Sequence, residues 1–132
     1  MVGSAKGDVA VVDDDWRLRE SMSSLLESAG YSAQAFSSAE EFLQSGRVHA
    51  VICLITDVRM PGLNGLELQR RVRLERPQIP VIFVSGYCDD DARSRALEEG
   101  AVCFLHKPFD ACELLPVLEA ASVEVRRENT GE

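Results

Sequence analysis

The sequence predicts a doubly wound α/β fold, with five parallel strands in the order 2-1-3-4-5 and helices on both faces. Three observations lead there. Residues 9–12, 51–55, 81–84 and 101–105 are short apolar runs without polar alternation, the pattern of strands buried on both faces. Between them lie segments whose apolar residues recur at helical spacing and stop at Gly or Pro. Strands that alternate with helices pair in parallel through right-handed crossovers, which cover one sheet on both sides.

The first run leads directly into Asp13, Asp14 and Asp15. Leu18, Met22, Leu25, Leu26 and Ala29 then mark a helix that Gly30 stops. Capping and the helix dipole explain one or two of the three acids at its start. Residues 31–36 read as a more polar strand, nearer an edge of the sheet. Ser38 with Glu41 three residues on is a capping-box signature. The short helix after it turns Phe42 and Leu43 inward and ends near Gly46.

The central run, 51–55, delivers Asp57 at its C-terminal end, and Pro61 and Gly62 break the chain into a loop. Asn64 caps a helix with Leu68 and Val72 inward, closed by Pro77. The fourth strand ends in Ser85 and Gly86. Asp89, Asp90 and Asp91 open a helix with a thin apolar face of Ala92, Ala96 and Leu97, stopped by Gly100. The fifth strand leads to His106, Lys107 and Pro108. Asp110 caps a last helix carrying Ala111, Leu114, Leu115, Leu118 and Ala121 on one side, and Pro116 should loosen or bend it. No Gly-rich phosphate loop follows the first strand, so the dinucleotide version of the fold is disfavoured and five units fit the flavodoxin-like order.

A chain of 132 residues makes one domain, able to bury roughly two-thirds of its unfolded surface. Its 22 acidic against 14 basic side chains give a formal charge of -8, which argues against direct nucleic-acid binding by this domain. The four cysteines have no metal-binding spacing, no run approaches transmembrane length, and no signal pattern opens the chain; a reducing cytoplasm is expected. Residues 1–7 are expected to be disordered, 8–124 to form the domain, and 125–132 to be a tail or the start of a linker.

In the 2-1-3-4-5 order, strands 1 and 3 are neighbours at the point where strand order reverses. Asp13 and Asp14 leave strand 1, and Asp57 ends strand 3, so three carboxylates meet in one crevice. Like charges that close repel unless a cation joins them, and a few carboxylates completed by waters suit Mg²⁺. Strands 4 and 5 bring Ser85 and Lys107 to the same edge. Singly, these residues have plain explanations: a cap, a turn hydroxyl, a surface lysine. Together they suit phosphoryl transfer to a carboxylate nucleophile.

The stretches Val11-Val12-Asp13-Asp14, Thr56-Asp57-Val58-Arg59-Met60-Pro61, Val84-Ser85-Gly86 and Phe104-Leu105-His106-Lys107-Pro108-Phe109 resemble the receiver domain of two-component response regulators, in order and at that family's spacing. The likeness runs from about Asp8 to about Val123 and is strongest toward FixJ-type receivers. It implies that Asp57 accepts a phosphoryl group from a sensor histidine kinase. Asp13, Asp14, Asp57 and the Arg59 backbone carbonyl would hold Mg²⁺. Lys107 would pair with the phosphoryl group, and Ser85 and Phe104 would be the switch hydroxyl and aromatic. The Lys107-Pro108 bond is a candidate cis peptide. A DNA-binding output domain and a homodimer through helix 4, strand 5 and helix 5 are further implications. Serine stands where threonine is common, and Tyr87 and Cys88 stand where smaller or more polar residues are usual, which bears on phosphoryl lifetime.

Two other readings compete. A haloacid-dehalogenase-type phosphotransferase also uses an Asp at a strand end, but it requires a second acid two residues on, where Arg59 stands. A pseudo-receiver, acting only as an interaction module, would lack part of the pocket residues, and here the full set is present.

Overall fold

The computed structural model describes residues 6–86 and 90–129, with side chains through Val125. Elements alternate without exception: β1 (Asp8–Val12), α1 (Trp16–Ser28), β2 (Ser32–Phe36), α2 (Ala39–Ser45), β3 (Cys53–Asp57), α3 (Gly65–Glu75), β4 (Val81–Ser85), α4 (Asp90–Glu98), β5 (Cys103–His106) and α5 (Ala111–Asn129). The strands form one parallel sheet in the order β2-β1-β3-β4-β5. This is the expected doubly wound arrangement.

Strand side chains alternate between two cores. Val9, Val11, Ile55, Ile82 and Val84 pack against Met22 and Leu26 of α1 and Leu114 and Leu118 of α5. Ala10, Val12, Leu54 and Phe83 face α2, α3 and α4, where they meet Phe42, Leu68, Val72 and Ala96. Because both faces are covered, β1, β3 and β4 are apolar at nearly every position, with polar residues kept to their ends: Asp8 opens β1, Thr56 and Asp57 close β3, and Ser85 closes β4. Edge strand β2, with sequence Ser-Ala-Gln-Ala-Phe, is only partly buried.

Local differences from the sequence reading have local causes. Pairing in β3 begins at Cys53; Val51 is buried ahead of it, with its carbonyl accepting a 2.6 Å bond from Arg76 Nη1. Tyr31 lies just before β2, buried, donating its hydroxyl to Glu119 Oε1 at 2.9 Å. Ser38 caps α2, accepting from the Glu41 N–H, but the Glu41 carboxylate turns to Ser37. There it meets two donors, the N–H at 2.6 Å and the hydroxyl at 2.9 Å. The reciprocal capping box forms instead at Asn64 and Glu67 on α3.

On α4, Ala92 and Ala96 are buried, whereas Leu97 is 37% exposed. One residue past Ala96 is about 100° around the helix, enough to turn Leu97 away from the sheet. α5 runs on through Pro116 to Asn129. The readings made for residues 1–5, Tyr87, Cys88, Asp89 and 130–132 lie outside the described residues. Within the described residues, no helix is long and apolar enough to cross a membrane.

Candidate functional site

Parallel register places the site. Val12 pairs with Thr56, so the next residues, Asp13 and Asp57, emerge side by side at the C-terminal edge of the sheet. Asp57 pairs with Val84 and Ser85 with His106, which brings the ends of β4 and β5 to the same edge. Asp13, Asp14 and Asp57 each offer an oxygen, and these oxygens lie within 4.8 Å of one another. Asp13 is buried, at 1% exposure, Asp57 is nearly so, and Asp14 faces outward.

The β1–α1 turn separates capping from pocket duty. Asp15 is the cap of α1, its Oδ1 accepting from the Arg17 N–H at 3.0 Å. Asp13 Oδ1 accepts the Asp15 N–H at 2.8 Å, and Arg19 Nη1 donates to the Asp13 carbonyl at 2.8 Å. Of the three adjacent acids, one caps the helix and two are left to the crevice.

Both oxygens of Asp57 are engaged. Oδ1 accepts the N–H groups of Val58 at 2.6 Å and Arg59 at 3.3 Å, while Oδ2 accepts from Lys107 Nζ at 3.1 Å. The same ammonium reaches Asp13 Oδ2 at 3.3 Å. Burial pushes the Asp13 carboxyl up to about 6; the Asp15 N–H opposes this and the neighbouring Asp57 charge adds to it. Burial pulls Lys107 down, but the charges of Asp57 and Asp13 outweigh it and hold the ammonium above the usual lysine range. Among the described residues, Lys107 brings its ammonium to a crevice with three carboxylates. That donor set, hard, anionic and incompletely neutralised, fits a small divalent cation.

Ser85 is buried at the end of β4, and its carbonyl accepts the Lys107 N–H at 2.7 Å. Phe104 of β5 stacks on Phe83 with centroids 5.9 Å apart and planes 17° from parallel, on the sheet face that carries α4. The Lys107-Pro108 peptide is cis. Arg59 is exposed on the β3–α3 loop beside Asp57.

The structure also supplies a residue that the sequence reading passed over. Gly65 opens α3, and a β-carbon there would overlap the carbonyl oxygen of Asp57 and come within 3.0 Å of the Phe83 ring. Its signal was a glycine in the first turn of a well-capped helix, where glycine weakens the helix and therefore marks a close approach.

Residues 9–119 match the response regulator receiver domain family. The chain belongs to that family. It is 43% identical over 124 residues to nodulation protein W of Bradyrhizobium diazoefficiens, covering 94% of this chain and 55% of the relative. It is 37% identical over 118 residues to the transcriptional regulatory protein FixJ of the same organism, covering 89% and 58%. To response regulator protein TodT of Pseudomonas putida it is 44% identical over 113 residues, covering 86% and 50%. The receiver chain therefore spans about half the length of the curated relatives it matches. Among solved structures, a response regulator receiver domain protein from Clostridium thermocellum superposes with a TM-score of 0.86 at 28% identity, over 96% of this chain and 99% of that one. Full-length FixJ from B. japonicum gives 0.83 at 35% identity, over 95% and 62%.

Proposed function

We propose that this receiver, residues 8–124, takes a phosphoryl group onto Asp57 from a sensor histidine kinase in a Mg²⁺-dependent reaction. The observation that carries the proposal is the meeting of Asp13, Asp14, Asp57 and Lys107 at one sheet edge. Asp13, Asp14, Asp57 and the Arg59 carbonyl would hold the cation. When bound, Mg²⁺ supplies positive charge that offsets the carboxylates and the phosphoryl oxygens. An Asp57 oxygen forms the new O–P bond as the donor's P–N bond breaks, and the electron pair leaves on the imidazole nitrogen. A carboxylate nucleophile has no proton to give up, so no general base is required and catalysis is positioning and charge neutralisation.

Lys107 then pairs with the phosphoryl group, and Ser85 donates its hydroxyl to a phosphoryl oxygen. Phe104 follows Ser85, changing the face made by α4, β5 and α5, where a second copy or an output domain would respond. The names of the relatives, transcriptional regulators among them, support transcription as the output, and a cytoplasmic setting belongs to the same reading. A groove of about 560 Å³ lined by Leu18, Met22, Lys107, Pro108 and Phe109 opens beside the pocket and suits an approaching donor. Trp16, 58% exposed just past the acidic turn, gives the direct test. Its fluorescence should titrate with Mg²⁺, and Asp14→Ala should weaken the affinity; an unchanged affinity in that variant removes Asp14 from the ligand set.

A further inference from the structure

We propose that Glu40 of α2 is a positioning residue for the Asp57 pocket, fastening the β3–α3 loop through the backbone of Leu63. The inference rests on the function proposed above and adds a residue from outside the strand-end cluster. Glu40 Oε2 accepts the Leu63 N–H at 2.9 Å. The same oxygen lies against Gly62, whose φ is +79°, so closely that a β-carbon at 62 would overlap it. Only a residue without a side chain lets carboxylate and loop meet this way, and the positive φ is one that glycine adopts readily.

The loop between Asp57 and Gly65 is anchored at its base and at its outer reach. At its base, the Gly65 N–H donates to the Val58 carbonyl at 2.8 Å, and Val58 and Arg59 donate to Asp57 Oδ1. Its outer reach is held by Glu40. Between the two anchors lie Arg59, whose N–H steadies Asp57 and whose carbonyl belongs to the proposed cation ligands, and Met60, which is buried. A carboxylate that accepts a backbone N–H makes a charge-assisted bond, stronger than a neutral one. The Glu40 carboxyl is correspondingly held below its usual range, first by the Leu63 N–H and then by its own N–H in the first turn of α2. Without that acceptor the Leu63 N–H must turn to water, and residues 59–63 gain freedom at the point where the pocket needs them fixed.

The test uses the 132-residue protein with Glu40→Ala and Glu40→Gln, each checked for folding by urea denaturation. Three quantities are read: Leu63 amide exchange without Mg²⁺, Mg²⁺ affinity from Trp16 fluorescence, and the rate of phosphorylation by acetyl phosphate at saturating Mg²⁺. In Glu40→Ala, Leu63 should lose protection and Mg²⁺ affinity and rate should each fall about three- to tenfold, the scale of one charge-assisted bond partly replaced by water. Glu40→Gln keeps an acceptor oxygen and should recover most of both. Wild-type affinity and rate in Glu40→Ala overturn the proposal, as does a Glu40→Gln variant that falls as far as Glu40→Ala. A wild-type protein that neither binds Mg²⁺ nor accepts a phosphoryl group overturns the functional reading itself, and Glu40's part with it.

Discussion

Lys107 Nζ lies 3.1 Å from Asp57 Oδ2, joining the end of β5 to the end of β3. The pair gives Lys107 two opposed roles. Before phosphorylation the ammonium competes with a cation for the carboxylates; afterwards it is a partner for the phosphoryl oxygens. Lys107→Ala should therefore bind Mg²⁺ about three- to tenfold more tightly, since a positive charge close to the cation is removed. The same variant should bind beryllofluoride, a phosphoryl mimic, more weakly than wild type. Parallel fluorescence titrations of Trp16 check both signs; shifts in the same direction would contradict the division of labour.

Asp13 sets a pH dependence. Its carboxyl is raised from 3.8 to about 6, chiefly by burial, so across that window the folded protein holds a proton that the unfolded chain has released. Stability contributed by this group consequently falls as pH rises from about 4 to about 6 and stays low above it. Asp13→Asn keeps an oxygen to accept the Asp15 N–H and removes the buried charge. Without divalent cation, it should be more stable than wild type at neutral pH by on the order of 1–3 kcal/mol, with the gap closing toward pH 4. Urea denaturation across that pH range checks the sign, and added Mg²⁺ should reduce the difference by stabilising only the wild type.

Gly65 should be intolerant of a side chain. A methyl group there meets the Asp57 carbonyl and the Phe83 ring, both fixed in the core, so the strain cannot be relieved at a flexible end. Gly65→Ala should cost about 1–3 kcal/mol despite the better helix propensity of alanine. Mg²⁺ affinity should fall with it, because the Asp57 backbone is what must move. A stabilised Gly65→Ala protein with unchanged Mg²⁺ affinity would count against the close approach.

The parts of this molecule that were legible in the sequence are those written in local pattern. β1, β3 and β4 are buried on both faces, so their apolar runs identified them, and Asp13, Asp57 and Ser85 stood out as polar residues where those runs end. Parallel order then brought Lys107 to the same sheet edge as Asp57 without any knowledge of side-chain geometry. What stayed hidden depends on reach between elements. Glu40 looked like an ordinary acid at a helix start, and its bond to Leu63 spans 23 residues. Glu41 followed a capping pattern but found better donors on Ser37. Leu97 was assigned to the apolar stripe of α4 because that stripe is so thin that composition alone does not fix its edge.

The arrangement of α4 predicts where switching is felt. Its C-terminal end is fastened to α3: Gln69 Nε2 donates to the Ala96 carbonyl at 3.3 Å, Arg70 meets both Glu99 oxygens at 2.8 and 2.9 Å, and Arg73 Nη2 donates to the Gly100 carbonyl at 2.7 Å. Toward the core the helix buries only Ala92 and Ala96. A helix tied to α3 by these polar bonds at its C-terminal end, and burying two small side chains against the core, should move least at that end. With beryllofluoride and Mg²⁺, amide exchange should change most in the first turn of α4 and around Phe104, and least at residues 96–100. Changes confined to the neighbourhood of Asp57 would mean that the domain binds the mimic without switching.

The central claim is that Asp57 is the phospho-acceptor, and intact-mass measurement after treatment with acetyl phosphate and Mg²⁺ tests it most directly. The wild-type protein should gain the mass of one phosphoryl group, lose the gain when Mg²⁺ is chelated beforehand, and show none in Asp57→Asn. Stoichiometric phosphorylation that persists in Asp57→Asn would contradict the account.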